Sequence, residues 1–177
     1  MRTRVGYAGG STPSPTYQTI GDHSEALQVD FDPAVLSYRD LLEEFFATHN
    51  PCARAYSRQY RSAIFVHDAA QRRAAEELAA RVAGERGRPV TTALEDVKGF
   101  TLAEDDHQKY RLRSEPAVLA ELQALYPGRA EFLTSTAVTR ANAFLAGDAP
   151  EQRVRADLPR MGLSAAARAR VEQYALR

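Results

Sequence analysis

Short strand patterns alternate with longer helix patterns through the first half of the chain, and this alternation limits the fold to the mixed α/β classes. The strand patterns cover residues 4–7, 26–31, 62–67 and 90–93, and the helix patterns cover residues 37–50 and 68–84. Segments rich in Gly, Pro, Asn and Asp separate them, as turn chemistry requires. The first strand pattern begins almost at the first residue and runs into the glycine pair of MRTRVGYAGG.

The second strand has the clearest pattern. Leu27, Val29 and Phe31 alternate with polar residues, which predicts a half-buried strand. The same alternation places Glu25 on the core side. The helix that follows has Ser37 as its predicted N-cap and Asp40 in the capping-box position.

The last third of the chain is rich in Ala and Arg and predicts helices only. They cover roughly residues 115–125, 130–145 and 164–176, with a shorter one near 150–159. We therefore expect an α/β domain over residues 1–113 and a helical C-terminal extension over residues 114–177. These helices also allow an interaction module that docks on a partner.

Composition excludes several classes of function. Of 177 residues, 23 are Lys or Arg and 23 are Asp or Glu, so the net charge is near zero. This balance argues against electrostatic binding to nucleic acid or to an anionic membrane. No apolar run has the roughly 18 residues of a membrane span, and the N-terminus has no signal-peptide pattern. The single cysteine permits no intrachain disulfide. We expect a soluble, cytoplasmic protein.

Four residues are candidates for chemistry. Glu25 begins the alternating strand, where burial would raise its pKa and suit it to proton donation, unless it is an ordinary strand-end charge in water. Tyr17 lies in a Pro-rich loop and Tyr60 precedes an apolar strand, and both are open to a plain packing role. The four histidines are scattered without metal-ligand spacing, so no metal is expected.

Cys52 is the fourth candidate. It follows the Asn-Pro pair that ends a helix and precedes Arg54 and Arg58. Positive charge near a thiol favours the thiolate, which is the nucleophilic form. The alternative is a small residue in a loop without chemistry.

Five motifs, in one order over residues 5–110, together resemble the methionine sulfoxide reductase A family, the peptide-methionine (S)-S-oxide reductases. They are VGYAGGSTPSPTY, GDHSEALQVDFDP, LSYRDLLEEFFATHNP, RQYRSAIF and FTLAEDDHQKY. The stretch LTSTAVTRANAFLAG resembles a C-terminal extension in one branch of the family. The resemblance implies a ferredoxin-like α/β roll with a mixed sheet.

The resemblance also implies a reaction. A cysteine thiolate attacks the sulfoxide sulfur, a glutamic acid protonates the oxygen with help from two tyrosines, and a thioredoxin-like reductant completes the cycle without a cofactor. Position by position, Glu25 matches the acid, and Tyr17 and Tyr60 match the hydroxyl donors. The substrate would be methionine sulfoxide, free or in peptides, or another small sulfoxide.

The family motif GCFWG, which carries the nucleophilic cysteine, is not in this sequence, and the chain has no tryptophan. Three interpretations stay open: an N-terminally truncated reductase that lacks its first strand and helix, a nucleophile-free binding or regulatory relative, and an enzyme that uses Cys52. We expect no sulfoxide reduction by the chain as written. Ala55 stands where the family has an aspartate, and Asp106 where it has a tyrosine.

Overall fold

The structure, a computed structural model, describes residues 1–176. Its strands are β1 (Arg2–Ala8), β2 (Ser24–Asp30), β3 (Ala63–Val66), β4 (Ala93–Asp96) and β5 (Phe100–Leu102). Its helices are α1 (Tyr38–Ala47), α2 (Ala69–Arg86), α3 (Tyr110–Arg113), α4 (Pro116–Leu125), α5 (Arg129–Thr134), α6 (Thr136–Phe144), α7 (Glu151–Asp157), followed by a 3₁₀ turn (Leu158–Arg160), and α8 (Ala165–Ala175).

Two small sheets confirm the mixed α/β class. Strands β2, β1 and β5 form one sheet in that order, and β1 pairs antiparallel with β5. Strands β3 and β4 form a parallel pair in which Ala63 lies opposite Ala93. A parallel pair needs a crossover, and α2 supplies it.

The chain divides into two compact units. The first, here the strand-rich unit, comprises residues 5–27 and 31–103. Its apolar cluster joins α1 to α2 through Leu42, Phe46, Ala75, Leu78 and Val82. Capping residues begin both helices. Ser37 and Asp40 form the predicted capping box of α1, and Asp68 caps α2 by accepting from the Gln71 amide.

The second, here the helical unit, comprises residues 1–4, residues 28–30 and the chain from Glu104 onward. Helices α3 to α8 surround a core that includes fully buried Leu112, Val118, Val138 and Val171. The domain boundary at residue 113 stays a prediction. No helix within residues 1–176 combines the length and apolarity that crossing a membrane requires.

Two buried charged side chains of the helical unit, Glu115 and Lys109, have different kinds of partner. The Glu115 carboxylate is paired with the Arg170 guanidinium, at 2.6 Å and 3.0 Å. The Lys109 ammonium, in contrast, contacts neutral acceptors: the carbonyl and hydroxyl oxygens of Thr3 and the hydroxyl of Thr139. Lys109 is only 5% exposed. Burial of the charge is the main cause that lowers the pKa of Lys109 to about 8, with the Arg4 charge second.

The predicted strand over residues 90–93 is wrong by three residues, because β4 begins at Ala93. Thr91 instead donates its amide to the Pro51 carbonyl and its hydroxyl to that of Ala53. The β-branched residues raised strand propensity there, but pairing with β3 selected the residues after them.

The predicted single helix over residues 130–145 is also wrong. Ser135 has an extended backbone that ends α5, and its hydroxyl accepts from the Val138 amide to begin α6. Strand β5 and the short helix α3 had no counterpart among the predicted elements. Both have four residues or fewer, too few to show a periodicity.

Candidate active site

A hydrogen-bonded cluster brings together three of the four residues predicted from the sequence. The Tyr17 and Tyr60 hydroxyl oxygens lie 3.0 Å apart. The Gln59 amide nitrogen Nε2 donates to Glu25 Oε1 at 2.8 Å and to the Tyr60 oxygen at 3.1 Å. We call Tyr17, Glu25, Gln59 and Tyr60 the tyrosine–glutamate cluster. All four residues belong to the strand-rich unit.

The turn that carries Gln59 is tied to the start of β2. The Glu25 amide donates to the Gln59 carbonyl at 2.9 Å, and the Ser24 hydroxyl donates to the Arg58 carbonyl at 2.8 Å. Arg61 Nε donates in turn to the Ser24 oxygen at 2.8 Å. Ser24 is fully buried, so water does not compete for these bonds. These bonds to the start of β2 therefore fix the positions of Glu25 and Tyr60.

The loop that carries Tyr17 is held by Asp22. Its carboxylate accepts from the amides and hydroxyls of Ser11 and Thr12, at 2.7 to 2.9 Å. These donors, with the Thr12 hydroxyl first, hold the pKa of Asp22 well below its usual range. Arg58 joins the same loop, since its guanidinium donates to the carbonyls of Gly9 and Asp22.

Gly9 makes the turn after β1 possible. Its φ is +78°, in the region that side chains disfavour, and a Cβ there would lie 2.5 Å from the Phe65 ring. The turn directs the chain into the loop that ends at Tyr17.

The prediction that Glu25 faces the core is wrong, because its side chain is exposed. The alternation itself is correct, and Leu27 on the same face is 61% exposed. Alternation assigns residues to one of two faces, but it does not tell which face packs. The Glu25 carboxylate therefore lies where a ligand in solution reaches it.

The two phenols share one hydrogen bond, in which either hydroxyl is able to donate. This bond is the first cause that raises the pKa of Tyr60 to about 12, followed by burial and by the charges of Tyr17 and Glu25. Each side chain keeps about two fifths of its surface exposed.

Cys52 has other neighbours. Its thiol lies 3.8 Å from the Arg88 carbonyl, and its amide donates to Asn50 Oδ1 at 3.2 Å. The Arg58 guanidinium, which was expected to favour the thiolate, is engaged by the carbonyls of Gly9 and Asp22. A role for Cys52 stays a prediction.

Sequence reasoning missed Gln59, Asp22 and Tyr56. Gln59 directly precedes Tyr60 in RQYRS, so its place in the matched motif was an available signal. Tyr56, 85% exposed, packs its ring on that of Tyr60 with centroids 5.3 Å apart. Residues 1–176 hold no group of three or more His, Cys, Asp and Glu side chains suited to a metal ion.

Replacing Asp22 with alanine is expected to free the loop that carries Tyr17. The amides of Ser11 and Thr12 lose their acceptor, so their hydrogen exchange should accelerate about tenfold, as the loss of one charged hydrogen bond implies. Hydrogen exchange followed by NMR measures this. The matched control is Asp32→Ala, which removes an acceptor from the Ala34 amide only. Unchanged exchange at Ser11 and Thr12 would contradict the assigned role.

Comparison with known proteins identifies a family. The family described as Peptide methionine sulfoxide reductase matches residues 1–139. A Drosophila melanogaster peptide methionine sulfoxide reductase is 37% identical over 168 residues, 93% of this chain and 66% of that protein. The MsrA of Leifsonia xyli is 44% identical over 117 residues, 62% of this chain and 69% of that protein.

Solved structures give the same result. The reduced form of Mxr1 from Saccharomyces cerevisiae superposes with a TM-score of 0.57 at 31% identity, covering 64% of this chain and 71% of that one. Methionine sulfoxide reductase A of Corynebacterium diphtheriae gives 0.53 at 29% identity, covering 65% and 64%.

The fold defines a mixed α/β domain that is similar to the solved methionine sulfoxide reductase structures. The chain belongs to the peptide methionine sulfoxide reductase family. It spans 66% of the length of the Drosophila relative and 59% of the length of peptide methionine sulfoxide reductase A5 from Oryza sativa.

Proposed function

We propose that this chain acts in the reduction of methionine sulfoxide, by binding the S=O group and protonating its oxygen. The observation that carries the proposal is the tyrosine–glutamate cluster, in which the two phenols share a hydrogen bond and the Gln59 amide links the Glu25 carboxyl to Tyr60. A sulfoxide oxygen is a strong acceptor, and phenol and carboxylic acid hydroxyls are donors that match it.

The chemistry follows from proton transfer to that oxygen. Glu25, as the carboxylic acid, donates a proton, and Tyr17 and Tyr60 stabilise the oxygen as negative charge develops on it. The sulfur then becomes electrophilic enough for a thiolate. The thiolate sulfur attacks the sulfoxide sulfur, and the protonated oxygen leaves as water. Water then attacks the thiol-derived sulfur and breaks the S–S bond, so methionine leaves with the bonding pair and the thiol is oxidised by two electrons to a sulfenic acid. A second thiol converts the sulfenic acid to a disulfide and water.

The thiol has two candidate sources. Cys52 is the only cysteine of this sequence, and its thiol contacts the Arg88 carbonyl. The other source is a thiol outside the sequence, so that the chain by itself binds sulfoxide without turnover. We favour binding without turnover, because the contacts of Cys52 are with Asn50 and Arg88, whereas the acid and the phenols are joined through Gln59 and through their own hydrogen bond.

The finer parts of the proposal concern substrate and surroundings. We include in it a methionine sulfoxide that is free or within a peptide, a thioredoxin-like reductant, and a cytoplasmic location. The exposed positions of Glu25, Tyr17 and Tyr60 suit a side chain presented on a peptide.

A titration with methionine sulfoxide tests the proposal. Followed by tyrosine ¹³Cζ NMR, the signals of Tyr17 and Tyr60 are expected to shift with methionine sulfoxide but not with methionine, which lacks the oxygen. Replacing both tyrosines with phenylalanine should weaken binding at least tenfold, since two hydrogen bonds to the ligand are lost. Tyr126→Phe, a tyrosine of the helical unit, is the matched control.

A turnover assay with dithiothreitol then separates the two thiol sources. We expect no methionine from the chain with its natural sequence. Turnover that disappears in Cys52→Ser would assign the nucleophile to Cys52. Absence of any methionine sulfoxide binding would contradict the proposed function itself.

A further inference from the structure

Gln59 is the residue that joins the acid to the phenol pair. One amide nitrogen, Nε2, lies 2.8 Å from Glu25 Oε1 and 3.1 Å from the Tyr60 oxygen. The side chain is half-buried, while Glu25 and Tyr60 on either side of it are exposed. Gln59 thus lies beneath the groups that a ligand would meet.

The hydrogens of this amide fix two bonds of the cluster. An amide nitrogen carries two hydrogens and accepts none, so one is given to Glu25 and the other to Tyr60. The Tyr60 oxygen is then an acceptor toward Gln59, and its own hydrogen is available for Tyr17, 3.0 Å away, or for a ligand.

Gln59 is also fixed relative to Glu25 by the backbone. The Glu25 amide donates to the Gln59 carbonyl at 2.9 Å, in addition to the side-chain bond between the two residues. Contacts at two points leave the amide little freedom to rotate away. The bond to Oε1 then fixes the rotation of the Glu25 carboxyl group.

We propose that Gln59 is a positioning residue that orients the Glu25 carboxyl and holds the Tyr60 hydroxyl as an acceptor, which leaves the Tyr60 hydrogen for Tyr17 or for a bound sulfoxide oxygen. This inference rests on the proposed function. Gln59 acts through Glu25 and Tyr60, and it takes no part in proton transfer because an amide has no proton to give at neutral pH.

Gln59→Met tests the inference, since methionine has a similar length and no hydrogen-bond donor. In the protein without ligand, the ¹³Cζ signals of Tyr60 and Tyr17 are expected to move. The affinity for methionine sulfoxide should fall about tenfold, as expected when a hydrogen bond to a charged group is lost. The matched control is Gln71→Met, whose Oε1 accepts from the His67 amide at the start of α2, and it should leave both measurements unchanged.

Gln59→Glu is the second variant, used also if the methionine variant fails to fold. The new carboxylate accepts a hydrogen bond where the amide donated one, so Tyr60 becomes the donor at this contact and its hydrogen is no longer available to Tyr17. The new carboxylate also repels Glu25. We expect the two tyrosine signals to move and the affinity to fall at least as far as in Gln59→Met.

The outcomes separate the two proposals. Tyrosine signals that stay in place in both Gln59 variants, or an unchanged affinity in both, overturn the positioning role. If the natural chain does not bind methionine sulfoxide, the proposed function fails. The tyrosine signals without ligand then still decide whether Gln59 holds the Tyr60 hydroxyl as an acceptor.

Discussion

Replacing Tyr17 with phenylalanine is expected to lower the pKa of Tyr60 from about 12 toward its ordinary value of 10. The variant removes the hydroxyl that shares a hydrogen bond with Tyr60, which is the first cause of the raised pKa, and it removes the Tyr17 charge as well. Tyrosine ¹³Cζ NMR measures the effect. Near pH 11 Tyr60 should be mostly neutral in the natural chain and mostly ionised in the variant.

Tyr56→Phe is the matched control for this experiment. The Tyr56 ring packs on that of Tyr60, but its charge is the last of the causes that raise the pKa. Removing its hydroxyl should therefore leave the Tyr60 titration almost unchanged. If Tyr60 still titrates near pH 12 in Tyr17→Phe, the hydrogen bond with Tyr17 is not the cause of the raised pKa.

Replacing Lys109 with methionine is expected to change how stability depends on pH. Burial lowers the pKa of Lys109 from 10.5 to about 8, so between these pH values the unfolded chain binds more protons than the folded chain. The free energy of unfolding of the natural chain should rise with pH across that window, by about 3 kcal/mol in total at ~1.4 kcal/mol per pKa unit. Lys109→Met should lack this rise.

Urea unfolding at several pH values from about 7 to 10.5 measures the difference between the two curves. Tyr60 titrates in both proteins, so its contribution cancels. The chain has one other lysine, the exposed Lys98, and Lys98→Met should keep the rise. Parallel curves for the natural chain and Lys109→Met would contradict the cost assigned to the buried ammonium.

Helix starts were the most predictable part of the fold, because the groups that cap a helix are neighbours in the sequence. Ser37 with Asp40, Asp68 and Ser164 each begin a helix where the sequence places a capping residue. The reason is local: a side-chain oxygen meets an amide two or three residues later.

Strand positions and helix breaks were less predictable, because partners distant in sequence decide them. Thr91 has high strand propensity but binds the carbonyls of Pro51 and Ala53, and pairing with β3 begins only at Ala93. Ser135 ends one helix and caps the next, although the residues on both sides favour helix. Neither event leaves a periodic signal.

Of the site, motif resemblance indicated Tyr17, Glu25 and Tyr60, and the structure places them together. Their exposure was not predictable from alternation. Gln59 and Asp22 were missed because an amide and a loop carboxylate have many ordinary roles, and only the convergence of their bonds shows what they hold.

The segment from Cys52 to Ser57 is pinned at both ends. Thr91 binds the carbonyls of Pro51 and Ala53 at its start, and Ser24 and Glu25 bind the carbonyls of Arg58 and Gln59 at its end. Residues 54–57 thus span two fixed anchors. An insertion between those anchors would therefore leave Glu25, Gln59 and Tyr60 held at the start of β2 and would change only the surface beside them.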